Sequence, residues 1–442
     1  CVENEGITIM SNKKVTVVGS GIAGITAAYF EAKKGNSVTL VDSDERAGGL
    51  LKSDFANNRY FDYGTHILTE TGITQLDDFL FSSLNNNNCM VKDQINAANY
   101  FNKKMNSKNC YVDISSLSEQ DYLKGCDELL AANNLDSESL ELFFINRFGK
   151  TIYKNIFKPV SEKYMGIDPS LLSAKVGHFF DLSRLLAFDD STTKRLTESK
   201  IYNAKLGHHI RSKGLKKFYP RDGGMGGIID LLMGKLSKEG VDVKLSTNIK
   251  SINQENGKVV SLIAEEEILT DKLVWTLPSS YLSFLSGLDK KASAPKFRNT
   301  AIYDFTFENP LNSKAAFINI YDLEMLSGRV TLYQNLSQSD NYSCTVELLA
   351  GDDVDLSNLI DAIQRELVEM DIVRKGNQCT FKQHRPIKNG FPVLTTEFVK
   401  AQNEMGEYCE DYFQNVLFIG RSTGKVFFMN EVLVDVFNKV GN

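Results

Sequence analysis

The 442-residue chain has no run approaching the roughly 18 to 20 uninterrupted apolar residues of a membrane span, no Cys-x-x-Cys pair, no internal repeat and no excess of basic charge. Each absence removes a class of protein. Without a long apolar run a membrane-spanning helix is not expected. Fifty Lys and Arg against 56 Asp and Glu give a net charge of −6, so nothing at the level of the whole chain argues for nucleic acid or an anionic membrane surface. Any anionic ligand must be held by a local patch. The seven cysteines (Cys1, Cys89, Cys110, Cys126, Cys344, Cys379, Cys409) are scattered and odd in number, which suggests neither a disulfide framework nor a zinc site. Reduced thiols in a cytoplasmic protein fit that pattern, and no metal is expected. Residues 1–12 lack the apolar core of a signal peptide; Met10 followed by Ser-Asn-Lys-Lys reads as a natural start, so that 1–12 is set aside as an amino-terminal extension.

What remains is an ordinary globular composition, 42% hydrophobic and 24% charged, long enough for about three sequential domains or one large interleaved enzyme. The amino-terminal segment carries the strongest pattern. Val15 to Val18 form a short β-branched run, as in a parallel strand buried on both faces. Gly19-Ser20-Gly21-Ile22-Ala23-Gly24 follows directly as Gly-x-Gly-x-x-Gly. A helix is then predicted with Ile22, Ile25, Ala28, Tyr29 and Ala32 on its buried stripe, ended by Lys33, Lys34 and Gly35. A second buried strand, Val38 to Val41, closes at Asp42 and Ser43. Gly19 permits the turn, Gly21 lets backbone approach a pyrophosphate, and Gly24 lets helix and strand pack closely. The helix start at Ile22 and Ala23 offers free N–H groups to phosphates. Asp42, 18 residues after Gly24, sits where a carboxylate accepts ribose hydroxyls and repels a 2′-phosphate. Dinucleotide binding is the expectation.

Beyond Asp42 come Glu45-Arg46-Ala47-Gly48-Gly49-Leu50 and then Tyr60-Phe61-Asp62-Tyr63-Gly64-Thr65-His66-Ile67. Here the chain resembles the flavoprotein superfamily of monoamine oxidases, protoporphyrinogen oxidases, phytoene desaturases and UDP-galactopyranose mutases. The resemblance implies FAD as cofactor, with Arg46, Gly48, Gly49 and Leu50 carrying its diphosphate and ribityl region and Gly64, Thr65 and His66 beside the isoalloxazine. Ser161-Glu162-Lys163-Tyr164-Met165-Gly166-Ile167-Asp168-Pro169 is similar to a Lys-x-Trp-Gly signature of the mutase and protoporphyrinogen-oxidase-like branches, with Met165 in place of Trp. Tyr219 to Gly227 resembles a glycine turn that brings backbone close to the flavin, opening a helix with Ile228, Leu231, Leu232 and Leu236 buried. Val241 to Leu245 takes the place of the third Rossmann strand, Asn256-Gly257 reads as a hairpin turn, and by resemblance the backbone near Ile249 contacts adenine. Asn415 to Arg421 has the form of the second FAD fingerprint, in which Gly420 approaches and Arg421 pairs with phosphate; Phe428 and Met429 open the last helix toward the flavin.

The expected fold is mixed α/β: a Rossmann-type FAD-binding unit from about 13–75, 215–280 and 395–442, interleaved with a substrate unit of helices and antiparallel sheet from about 76–214 and 281–394. In the first insertion Ser116-Leu117-Ser118-Glu119 reads as a capping box, 119–165 as mainly helical, and Asn85–Asn88 as a loop. In the second, 301–307, 316–321 and 330–333 read as strands flooring a substrate cavity.

The flavin does the chemistry and the protein supplies position and electrostatics. His66 is the candidate that touches the ring system. Arg221, beside the glycine turn, is the basic residue expected near a substrate anion. From Lys194 to Lys217 eight basic residues (Lys194, Arg195, Lys200, Lys205, Arg211, Lys213, Lys216, Lys217) face one acid, Glu198, a local charge of 8 − 1 = +7; it could hold an anionic substrate, although a solvated surface run or a loop of mixed charge explains it slightly better. His208 and His209 lack a carboxylate or cysteine at ligand spacing. Three functions follow: an FAD-dependent oxidoreductase taking a hydride from a small molecule to flavin N5; a mutase acting on a nucleotide sugar through reduced flavin; or an inactive flavoprotein fold serving as a partner. Against the mutase, the places of its two substrate-gripping tyrosines hold Lys425 and Phe427, and 174–183 lacks its arginine. Oligomeric state stays open.

Overall fold

The computed structural model describes residues 12–209, 214–288, 295–337 and 339–441. Residues 1–11 and two members of the basic run, Arg211 and Lys213, lie outside the described residues.

The chain opens with β1 (Lys14–Val18), α1 (Ile22–Lys33) and β2 (Ser37–Val41), then a hairpin of β3 (Ser53–Ala56) and β4 (Arg59–Asp62). Four of the five residues of β1 are buried, as its β-branched run requires of a central strand. In α1 the single stripe is corrected: Ala23, Thr26, Ala27 and Phe30 are buried with Ile25 and Ala28, whereas Ile22, Tyr29 and Ala32 are only partly covered. A helix packed on several sides needs no polar face.

The first insertion contributes β5 (Ala97–Phe101), β6 (Lys104–Asn106) and helices α2 (Glu119–Ala131), α3 (Leu140–Phe148) and α4 (Lys158–Met165). The cap of α2 lies two residues later than expected: Ser118, not Ser116, accepts the amide of Asp121 at 3.2 Å. The chain returns through β7 (Lys217–Pro220), α5 (Gly224–Lys238), β8 (Asp242–Lys244), the meander β9 (Ser251–Glu255), β10 (Lys258–Ile263) and β11 (Glu267–Leu269), and β12 (Lys272–Trp275). Asn256 and Gly257, both at positive φ, turn β9 into β10. On α5 the buried face is Ile228, Ile229, Leu232 and Leu236, while Leu231 is exposed. The second insertion supplies β13 (Phe297–Phe307), β14 (Phe317–Ile320), β15 (Arg329–Leu332), β16 (Ser343–Ala350) and β17 (Cys379–Pro392). The chain ends in α6 (Thr396–Tyr412), β18 (Val416–Phe418) and α7 (Met429–Val440).

Two sheets organise these elements. A parallel sheet runs β8-β2-β1-β12-β18, drawing strands from the beginning, middle and end of the chain. Its order reverses between β1 and β12, where the carboxyl ends of such sheets open a crevice. A second sheet runs β17-β13-β16-β15-β14-β5-β6, with β14 parallel to β5 and the other pairs antiparallel. No helix among the described residues is long and apolar enough to cross a membrane.

Candidate functional site

At the carboxyl end of β1 Gly19 turns the chain and Gly24 lets α1 pack against that turn. Gly19 has φ +100°, and a Cβ there would lie 2.0 Å from Thr276 Oγ1. A Cβ on Gly24 would lie 1.8 Å from the Gly19 carbonyl oxygen, so the start of α1 rests directly on the turn. Gly21, by contrast, faces open space. No side chain caps α1, and no acid occupies its first turn. An uncapped helix N-terminus beside an open glycine fits a diphosphate, because its free N–H groups and positive dipole end lack an acceptor. Asp42, at the end of β2, accepts the Ser20 amide at 2.6 Å and the Ser20 hydroxyl at 2.7 Å on Oδ2, and the Asp44 amide at 2.9 Å on Oδ1. Three donors fix the carboxylate and leave it lone pairs for a ribose hydroxyl.

Distant segments meet at this turn. The Gly48 amide donates to the Ser20 carbonyl at 2.8 Å, and a Cβ on Gly49 would stand 3.4 Å from Gly21 Cα. From the other end of the chain, Gly420 comes within 3.3 Å of Ala23 Cβ when given a Cβ of its own. Ile249 is buried in a cluster with Val41 and Trp275, and the stretch before it bonds to the backbone beyond β2, the Thr247 amide to the Asp42 carbonyl at 2.8 Å. Ser43 is exposed and Leu50 partly so. Arg46 is tied down here: it donates to Asp54 Oδ1 at 2.6 Å and to the Ser53 carbonyl at 3.1 Å, and the Asp54 carboxylate holds its guanidinium above its ordinary pKa.

A second group forms where the loop after β4 meets the antiparallel sheet. Glu347 on β16 accepts the Thr65 amide at 3.1 Å, and Thr65 and Thr331 share a hydroxyl contact at 2.5 Å. Gly64 makes room for this, since a Cβ there would stand 3.1 Å from the Glu347 carboxylate. The next residue, His66, is partly accessible, but its Nδ1 is shielded and has no partner among the described residues. Burial pushes its pKa down to about 4; Glu347 opposes this, and Arg329 and Arg421 reinforce it. At neutral pH His66 is an uncharged imidazole that feels the charge of two guanidiniums.

Those guanidiniums are poorly paired. Arg329 on β15 reaches Glu347 only at 3.8 Å, its Nε is buried without a partner, and its head lies 5.0 Å from the Phe180 ring centroid. Burial works against its charge, but Glu347 and Asp181 hold it above its ordinary pKa. Arg421 lies over the Phe427 ring at 5.4 Å; the surrounding protein lowers its pKa, and no carboxylate among the described residues pairs with it. Phe180 and Asp181 are consecutive non-glycine residues at positive φ, +52° and +59°, a strained elbow that sets the Phe180 ring against Arg329. Phe428 is exposed at the start of α7, with Met429 partly covered, and Glu431 accepts the Phe427 and Phe428 amides at 3.1 Å.

The glycine turn before α5 packs on β3 and β4: a Cβ on Gly224 would meet Ser53 Oγ at 2.5 Å and Asp62 Oδ1 at 2.6 Å. Arg221 stays beside the glycine turn, where its Nε donates to the Asn86 carbonyl at 2.8 Å and it lines a cavity with Gly223 and Gly224. The basic run is partly structural. Lys205 is fully buried and donates to the carbonyls of Leu129 and Ala132 at the end of α2, while Lys217 donates to the Leu215 carbonyl. His209 Nε2 contacts the Phe188 carbonyl at 2.9 Å. Glu347, Arg329 and Phe180 were missed in the sequence because nothing local distinguishes a glutamate or arginine in a strand from a surface residue.

A sequence model of flavin-containing amine oxidoreductases matches residues 22–317. Among curated proteins, protoporphyrinogen oxidase 2 of Arabidopsis thaliana is 39% identical over 69 residues, 16% of this chain and 14% of that protein. The 1-hydroxycarotenoid 3,4-desaturase of Flavobacterium sp. (strain P99-3) is 26% identical over 278 residues, 58% of this chain and 54% of that protein. The matched stretches thus span about half of these relatives' length or less. Among solved structures, reduced UDP-galactopyranose mutase superposes with a TM-score of 0.73 at 17% identity, covering 97% of this chain and 94% of the other, a likeness of fold.

Proposed function

The chain belongs to the family of flavin-containing amine oxidoreductases, and from that premise we propose that it is an FAD-dependent oxidoreductase acting on a small molecule that carries an anionic group. Bound FAD would supply the acceptor, at N5, for a hydride leaving a substrate C–H bond, the adjacent C–N, C–C or C–O single bond becoming double as a proton is lost from its other atom. The chain's own residues bind and orient. We assign the diphosphate to the uncapped start of α1, from Gly21 to Gly24, with Gly48 and Gly49 against it, the ribose to Asp42, and further cofactor contacts to Ser43, Arg46, Leu50, Ile249, Gly420, Phe428 and Met429. In this reading the parallel-sheet unit (13–75, 215–280, 395–442) holds the cofactor and the remainder (76–214, 281–394) closes over the substrate.

The observation that carries the anionic substrate is the pair Arg329, whose Nε is buried without a partner, and Arg421, which is exposed; both act electrostatically on a neutral His66, and no carboxylate among the described residues lies in hydrogen-bonding reach of either. An oxyanion offers both of them acceptors. His66 adds no positive charge of its own, and its unpartnered Nδ1 is free for the ring system or the substrate.

Anaerobic mixing of the holoenzyme with carboxylate-bearing amines and hydroxy acids is expected to bleach the flavin absorbance for at least one of them. Arg329→Met should then raise KM at least tenfold, by the loss of a charge-assisted contact of about 1.5–3 kcal/mol. The second reading, a nucleotide-sugar mutase, rests on the register Tyr63-Gly64-Thr65-His66-Ile67. Lys425 pairs with Glu410 at 2.6 Å and Phe427 stacks on Phe179 at 4.0 Å, so neither presents a hydroxyl to a diphosphate. Conversion of UDP-galactopyranose to its furanose form by dithionite-reduced enzyme would overturn the oxidoreductase reading.

A further inference from the structure

Apart from the group around His66, a cavity of about 40 Å³ opens between the turn joining β3 to β4, the start of α5 and the loop after β15. We infer that this cavity is a binding site for a protonated oxyanion, hydrogen phosphate in the first instance. Its walls include Arg59, Arg221, Asp222, Ser337 and Asn341, two guanidiniums against one carboxylate. Arg221 is anchored by its Nε on the Asn86 carbonyl at 2.8 Å, and its terminal N–H groups have no acceptor among the described residues. Arg59 is anchored more loosely, by one contact of 3.3 Å to the Asp340 carbonyl. Gly224, the first residue of the 15-residue α5, also lines the space. The next two amides are spoken for, Met225 by Asp62 Oδ1 at 3.0 Å and Gly226 by Ser53 Oγ at 2.8 Å, whereas that of Gly224 has no acceptor among the described residues. A free helix-start amide with two guanidiniums is an arrangement that attracts an anion.

Asn341 identifies the ligand more closely. It is only 8% exposed, its Nδ2 donates to Ser337 Oγ at 3.1 Å, and its Oδ1 has no donor among the described residues. A buried amide oxygen left alone costs about 1–3 kcal/mol, so the ligand that completes the site brings an O–H as well as negative oxygens. Hydrogen phosphate has both; sulfate at neutral pH has no O–H. The volume agrees, since by the same measure a water needs roughly 10–15 Å³ and the cavity has room for about three, the bulk of one tetrahedral oxyanion.

Calorimetric titration of the FAD-saturated enzyme with sodium phosphate at pH 7 and constant ionic strength tests this. Binding is expected with a Kd on the order of 1 mM or tighter. Sulfate should bind at least tenfold more weakly, and the double variant Arg59→Gln/Arg221→Gln should lose phosphate binding at least tenfold. Asn341→Asp, nearly isosteric, should weaken phosphate by repulsion even if the arginine variant fails to fold. No heat up to roughly 10 mM phosphate, equal binding of sulfate, or undiminished phosphate binding by the folded variants overturns the inference.

Discussion

Gly64 admits the Glu347 carboxylate to the backbone of the His66 loop, and no other residue can do so at its φ of +111° without strain. Gly64→Ala adds a Cβ 3.1 Å from that carboxylate and should destabilise the fold by about 1–3 kcal/mol, read from the urea midpoint. An unchanged midpoint would mean that the loop does not depend on this approach. His66, two residues on, gives a pH signature. Its pKa falls from 6.5 in the unfolded chain to about 4 in the folded one. Between those values the unfolded chain binds a proton that the folded chain refuses, so stability falls as pH drops from 6.5 toward 4 and is indifferent to this group above 6.5. The loss is at most roughly 3 kcal/mol. His66→Gln should flatten that part of the profile when denaturant unfolding is followed at several pH values; an identical slope would show that His66 is not the desolvated group.

At the level of elements, the Lys-x-Met-Gly motif of α4 turns out to be a fastening. Lys163 Nζ donates to the carbonyls of Ile320, Asp322 and Ser327 at 2.8, 2.7 and 2.9 Å, using all three ammonium protons, and the Tyr164 hydroxyl reaches Ile320 and Gly328 carbonyls as well. The segment joining β14 to β15 is thereby pinned to α4, and β15 begins with Arg329. Burial pushes Lys163 down to about 8, which still leaves it protonated at neutral pH. Lys163→Met takes the ammonium donor from the Asp322 and Ser327 carbonyls and leaves that of Ile320 to the Tyr164 hydroxyl alone, which should cost about 2–4 kcal/mol, while Lys163→Arg should not rescue, because a planar fork cannot meet three converging oxygens. Full stability of the Met variant would reduce the motif to a surface coincidence. The sequence announces the helix and the lysine, but its three acceptors lie more than 150 residues away. The same division runs through the whole fold. β1, α1, β2 and the Asn256-Gly257 turn are legible because periodicity and glycine chemistry are local. The contact of Thr65 with Glu347 spans 282 residues, and no local pattern encodes it. The Leu231 and Ile229 exchange on α5 has a related cause: helical spacing gives a face, and only the neighbours decide which edge of it is covered.

Across the whole molecule, one chain of charges joins the β3–β4 hairpin to the antiparallel sheet. Arg46 holds Asp54, Asp54 is also held by the Tyr63 hydroxyl at 2.7 Å and by Arg385 Nη1 at 3.0 Å, and Arg385 grips Asp304 at 2.6 and 3.0 Å. Arg385 also donates to the Asp62 carbonyl at 2.8 Å, and its head lies over the Tyr63 ring at 4.7 Å. Asp304, on β13, is completely buried. Burial opposes the Arg385 charge, but the bonds to Asp304 more than compensate and raise its pKa. Such a bridge is a weak contributor when intact and costly when halved, because removing one member strands the other without solvent. Arg385→Met should therefore lose about 3–5 kcal/mol, leaving Asp304 with only Gln383 and Thr345, each at 2.8 Å. Adding Asp304→Asn removes the stranded charge while keeping an acceptor for Gln383. The double variant should consequently be more stable than Arg385→Met alone, by urea denaturation followed in parallel by flavin fluorescence and far-ultraviolet circular dichroism. If the second substitution instead adds its own loss in full, the two residues are not coupled, and the Arg385–Asp304 bridge does not help to hold the hairpin to the sheet.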